Sequence, residues 1–166
     1  MAEFSVNTKR IDPYRSFLFQ VVFEGVVVAG VSKVGALTRT TEVVSHRPGN
    51  AISHQYHSPG LTSHEDIVLE RGVTFDAMFQ TWANRVYSPE GLGGVSLKEF
   101  RQDILITLMN LQGVAVRTYK VYRCWPSAYT ALPELSANDN AVAIQSLTLK
   151  NEGWELDDAV VETAEF

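Results

Sequence analysis

Phe17-Leu18-Phe19-Gln20-Val21-Val22-Phe23-Glu24-Gly25-Val26-Val27-Val28 is the stretch that decides how this chain is read. Phe17, Phe19, Val21 and Phe23 fall on one side of an extended backbone, with Gln20 and Glu24 on the other. That period of two predicts a half-buried strand over 17–24. Gly25 then turns the chain into a second β-branched run, Val26-Val27-Val28, and Gly30 and Gly35 punctuate the segment after it.

The same pattern recurs outward from this hairpin. Residues 38–45, Thr-Arg-Thr-Thr-Glu-Val-Val-Ser, have high β-propensity but little apolar weight. His46-Arg47-Pro48-Gly49-Asn50 is a turn signal, residues 51–57 return extended, and Ser58-Pro59-Gly60 turns again. Residues 38–60 therefore read as one long hairpin reaching out from the body. Residues 62–71 form a strand with Ile67 and Leu69 on one face. A helix is expected over 74–87, where Phe75, Met78, Phe79, Trp82 and Val86 make one apolar stripe. Pro89 stops it, and 88–96 is a Gly-rich loop. Ile104, Ile106 and Leu108 then alternate along 101–109, Asn110 to Gly113 is a hairpin turn, and 114–123 returns. Trp125-Pro126 reads as a break, 127–132 as a short strand and 135–140 as a loop. Residues 141–150 read as the last strand, with an apolar parity shift between Ile144 and Leu147 that points to a bulge or a change of neighbour. About seven or eight strands with hairpin-length connections predict an antiparallel β-barrel or sandwich, with one flanking α-helix on its side or end.

The chain has 166 residues, enough for one domain with a full core. We divide residues 1–166 into an amino-terminal arm, 1–13, a body with its hairpin, and an acidic carboxy-terminal tail, 155–166. Net charge is -5, and Glu152, Glu155, Asp157, Asp158, Glu162 and Glu165 carry it, because the rest of the chain is near neutral. That balance lacks the basic footprint of a nucleic-acid reader. No apolar run reaches the ~18 residues of a membrane-spanning helix. The start, Met1-Ala2-Glu3-Phe4-Ser5, lacks the layout of a signal peptide, so synthesis in the cytoplasm is expected.

Catalytic signatures are missing. There is no Gly-x-Ser-x-Gly elbow, and Gly91-Leu92-Gly93-Gly94 lacks the Lys of a phosphate-binding loop. Cys124 stands in an apolar setting and reads as a buried thiol, and Trp82 reads as core. His46, His54, His57 and His64 crowd into one stretch and invite a metal reading, but His54 and His57 are three apart, on opposite faces of a strand. They read as exposed polar residues on the hairpin, and neither metal nor cofactor is assigned. The positive signal is the hairpin itself. A lone hairpin with so few apolar side chains is marginal in water, and pairing its edges with another subunit would stabilise it. That points to an assembly module.

Several segments in order carry a family resemblance: Asp12-Pro13-Tyr14-Arg15-Ser16-Phe17, Val28-Ala29-Gly30-Val31-Ser32, Ser58-Pro59-Gly60-Leu61-Thr62 and Leu69-Glu70-Arg71-Gly72-Val73-Thr74. The run Ile104 to Gly113, Trp125-Pro126 and Asn151-Glu152-Gly153-Trp154 complete the set. Across residues 12–154 the chain resembles the tube proteins of contractile phage tails and contractile injection systems. The resemblance implies a tail-tube-like fold and no catalysis. Six copies would close a ring whose strands join into one wide barrel. Rings would stack into a hollow tube inside a sheath protein, with baseplate and terminator or cap proteins at its ends. The lumen would carry a protein effector or phage DNA, in a phage tail or a released particle. The Thr- and Ser-rich run 38–45 suits a lumen wall. Candidate contacts between subunits or rings are Asp12 in the arm and Tyr14 just after it, and Glu42, Val43, Val44, His46, Arg47, Ile52, His54 and Tyr56 in the hairpin with Leu61 just after it. The histidine-rich tip and the acidic tail lie outside the family pattern. Competing readings are a tube-end or baseplate adaptor ring of the same fold, a monomeric ligand-binding β-barrel, and a metal enzyme using the histidines.

Overall fold

Glu24 and Gly25 both take positive φ, 50° and 76°, which is the turn that two-residue hairpins need. It joins strand β1 (Phe19–Phe23) to β2 (Val26–Val27). The computed structural model describes residues 15–50, 53–87, 95 and 98–160. It continues with β3 (Val31–Val34), β4 (Arg39–His46), β5 (Tyr56–His64) and β6 (Ile67–Gly72). Helix α1 (Met78–Val86) precedes β7 (Gln102–Met109), β8 (Ala115–Thr130), β9 (Ile144–Lys150) and β10 (Trp154–Asp157). The described residues thus hold ten strands and one helix, and every strand pair is antiparallel.

The strand order β2-β1-β7-β8-β9-β6-β3 dictates a rolled sheet. Laid flat, its first and last strands would stand ~29 Å apart at ~4.8 Å per neighbour. Yet only residues 28–30 join β2 to β3, a link that spans at most ~14 Å. The sheet must curl until its ends approach. Strand β8 makes the corner. Its first part pairs with β7 and β10, and Trp125–Thr130 pairs with β9. At the switch Arg123 takes a φ of 50°, and its N–H donates to the Asp103 carboxylate at 2.9 Å.

Inside the roll, Val21, Phe23, Ile104 and Val121 meet Ile67, Leu69, Leu147 and Leu149, with Val28 and Cys124 beside them. Helix α1 closes one end with Phe79 and Trp82. Trp82 stacks on Phe23 with ring centroids 4.3 Å apart, and its indole N–H donates to the Phe100 carbonyl. Truncating either helix anchor to alanine costs about 3–5 kcal/mol. Beneath the helix lies Arg71, wholly buried. It donates to Asp76 Oδ2 at 2.9 Å and to the Asp76 carbonyl, and its guanidinium stands 4.3 Å from the Phe79 ring centroid. Gln145, with its amide oxygen turned to Arg71, accepts from Arg71 Nε at 2.6 Å and from Nη2 at 3.2 Å, while its NH2 donates to the Tyr129 hydroxyl.

Several expectations change. The helix begins at Met78, not residue 74, because Asp76 Oδ1 accepts the Met78 N–H and Thr74 Oγ1 accepts the Asp76 N–H. That turn leaves Phe75 outside the helix and fully exposed. Ser58-Pro59-Gly60 does not turn; it lies within β5, beside a register shift between Thr41 and Val43. Trp125-Pro126 does not break β8, which runs on through the segment expected as a separate strand. β9 shows no parity shift: Gln145, Leu147 and Leu149 are all buried, and the polar Gln145 faces inward because Arg71 satisfies it. The irregularity lies across from it, in β8, between Pro126 and Ala128. β9 is also not the last strand, since residues 154–157, partly assigned to the acidic tail, form β10. Pro89 and nearly all of the Gly-rich loop lie outside the described residues.

Candidate assembly interface

β4 and β5 pair only with each other and stand off the rolled sheet. Both strands are exposed on both faces, save half-buried His64 at the base. Thr41 and Thr62 hydroxyls meet at 2.9 Å, and Ser45 Oγ lies 3.1 Å from His57 Nδ1. Gly60 leaves little room for a side chain, since a Cβ there would come within 3.1 Å of Val44 Cγ2 and 3.3 Å of the Glu42 carbonyl oxygen, and Val44 would have to shift. The base rests on Trp154, with Arg39 over its ring and His64 edge-on to it. The hairpin spans Arg39 to His64, longer than the 38–60 expected.

The sequence-predicted contact residues sort plainly. Val43, Val44, Tyr56 and Leu61 are 66%, 51%, 58% and 77% exposed, a large apolar area for one ribbon. Glu42, His46 and Arg47 are exposed along β4 and just beyond it, and His54 packs edge-on against Tyr56 at 5.1 Å. Asp12, Tyr14 and Ile52, with the rest of the arm 1–13, lie outside the described residues. His57 is paired with Ser45 and His46 with Tyr56, so His46 and His57 lie on opposite faces of the ribbon, and His64 is at its base. No group of three metal-ligating side chains occurs among the described residues.

Two further surfaces were not anticipated. One is the polar side of the sheet, away from the core. Register places Gln20, Thr107, Thr118 and Asp157 in one row and Val22, Leu105, Lys120 and Glu155 in the next. Thr107 and Thr118 share a hydrogen bond, and the Tyr122 hydroxyl donates to Glu155. That hydrogen bond pushes the Tyr122 phenol up to about 12. The free edges of this half of the sheet are β2 and β10. The other surface is an apolar mouth of about 370 Å³ at the end of the roll away from α1. Phe19, Val34, Leu37, Ile106, Leu108 and Trp154 line much of it. The hairpin and the end strands β2, β3 and β10 leave backbone edges unpaired among the described residues.

A nucleophile is not among these features. Cys124 is wholly buried, and loss of solvation raises its thiol to about 12.

The sequence matches the T4-like virus tail tube protein gp19 family over residues 15–155. The chain belongs to this family. No curated protein sequence matches it. Solved structures share its fold. A chain of the anti-feeding prophage cap structure, the tube terminating cap, superposes with a TM-score of 0.76 at 22% identity, covering 95% of this chain and 99% of that one. A chain of the anti-feeding prophage baseplate gives 0.73 at 24% identity, covering 89% and 97%. A chain of the PVC sheath–tube complex, from an extracellular contractile injection system, gives 0.72 at 23% identity, covering 87% and 91%. This tail-tube chain therefore has the mainly antiparallel β fold with one helix that its relatives display.

Proposed function

We propose that this tail-tube protein is the inner tube subunit of a contractile tail or extracellular contractile injection particle. Six copies close a ring, and rings stack into a hollow tube. The observation that carries the reading is the β4–β5 hairpin, exposed on both faces and rich in apolar side chains, which a monomer has no use for. The edges β2 and β10 differ, so pairing one with the other on the next copy is heterologous and closes a ring when the rotation fits. The polar row from Gln20 to Asp157 and the mixed row of Val22, Leu105, Lys120 and Glu155 then face a wet lumen. The chain is made in the bacterial cytoplasm and performs no catalysis. A sheath surrounds the tube, baseplate and terminator or cap proteins bound its ends, and a protein effector or phage DNA travels inside.

Negative-stain electron microscopy over a concentration series, with sizing alongside, tests this. Rings and stacked tubes with a central hole are expected. Rings that never stack assign the chain to a tube end. A monomer at every concentration refutes both.

A further inference from the structure

Phe75 is fully exposed, held outside α1 by the Thr74–Asp76 turn. The apolar mouth lies at the opposite end of the roll. Strand β6 measures the separation: Val34 and Gly35 on the mouth side lie against Leu69 and Val68, whereas Phe75 comes after Gly72 at the other end. The stretch of β6 from Val68 to Gly72 puts ~13 Å between them. One molecule thus carries an apolar projection at one end and an apolar hole at the other. The mouth, about 370 Å³, has room for an aromatic side chain. Three arginines stand near it: exposed Arg15 beside Ser16, Arg39 over Trp154 and exposed Arg117 paired with Leu108. Next to the projection stands Asp76, whose carboxylate is 44% exposed.

We propose that Phe75 of one copy seats in the mouth formed by Phe19, Val34, Ile106, Leu108 and Trp154 of a copy in the next ring. The proposal rests on the tube reading and adds the residues of the axial contact. A contact between opposite ends is heterologous and repeats without closing, which is what a stack requires. A phenylalanine buries roughly 150–250 Å², well short of the ~1,000 Å² that a stable pair of chains needs. The contact therefore cannot hold two free subunits and acts only where a ring repeats it.

The test uses the full chain and two variants. Phe75→Ser removes the projection, and Ser16→Trp fills the mouth from its rim. Neither residue is in the core, so thermal unfolding of the subunit stays at the wild-type temperature. Each variant alone gives rings that stay unstacked at the wild-type concentration, and the concentration needed for stacking rises about tenfold or more. Mixing preformed rings of the two leaves one working contact, Phe75 of the Ser16→Trp ring in the open mouth of the Phe75→Ser ring. Double rings that grow no further are expected. Wild-type-like stacking by Phe75→Ser overturns the proposal while leaving the tube reading intact. Stacking that survives Phe75→Ser but fails when residues 2–11 are deleted gives the mouth to the amino-terminal segment and also overturns it. A wild-type chain that never stacks overturns the tube reading and the contact together.

Discussion

Replacing Arg71 by alanine removes a charged side chain that the fold buries completely. Three attachments go with it: the Asp76 pair, the bonds to the Gln145 amide oxygen and the contact with the Phe79 ring. Breaking a buried ion pair costs about 3–5 kcal/mol when the surviving charge stays buried. Asp76 can turn to water, which pulls the figure down, but Gln145 remains buried with an unmet acceptor at about 1–3 kcal/mol. We expect a loss of about 3 kcal/mol, a large share of the ~5–15 kcal/mol that domains possess. At ~2–4 °C per kcal/mol for this size, the melting temperature falls by about 6–12 °C. Arg71→Lys keeps the charge but cannot reach Asp76 and Gln145 at once, and should fall about halfway. Urea denaturation followed by tryptophan fluorescence reads this directly, because Trp82 packs on the same helix as Phe79. An Arg71→Ala loss below about 1 kcal/mol would refute the assignment of this network as the tie between α1 and β9.

The same structure sets other expectations. Asp76 is held below the usual carboxylate range by the Met78 N–H first and by Arg71 next. Its contribution is therefore full above the unfolded value of 3.8 and is lost as pH falls through the lower folded value; Asp76→Asn should flatten the acid limb of a stability–pH curve below about pH 4. With its thiol at about 12 and no exposure, Cys124 should resist thiol reagents at pH 8 in the folded chain and react once urea unfolds it. Pro48→Ala should leave assembly unchanged, whereas deleting 46–57 should give a soluble subunit that forms no tubes under the electron microscope; normal tubes from the deletion would remove the hairpin from the assembly contacts.

The sequence announced its strands wherever one face meets the core. Phe19, Val21 and Phe23 and then Ile104, Ile106 and Leu108 alternate without interference, and the turn at Asn110 to Gly113 forms as its residues demand. Proline misled the reading twice for one physical reason. Pro59 lies in a two-stranded ribbon, and Pro126 lies where β8 has β9 on one side only, next to a register shift. A proline is tolerated where the ladder asks for no donor, and no local sequence signal says which strand has a free side. Gln145 misled it because the partner that makes a polar side chain acceptable in the core is Arg71, far away in sequence. Phe75 fitted the helical stripe, yet the Asp76 side chain starts the helix three residues later. The exposed hairpin was legible because its residues lack core weight. The mouth was not, since it exists only once β1, β3, β7 and β8 come together.

Strand β8 has a mechanical consequence. A tube pushed through an envelope bears compressive load along its axis, and two layers joined only by side-chain packing would slide past each other under shear. Here a single backbone of 16 residues passes from one layer into the other. Relative slip would have to shear the hydrogen bonds that β8 makes with β7 on one side of the Arg123 corner and with β9 on the other. Stiffness is thus written into chain connectivity, and each subunit brings its own tie rod to the tube.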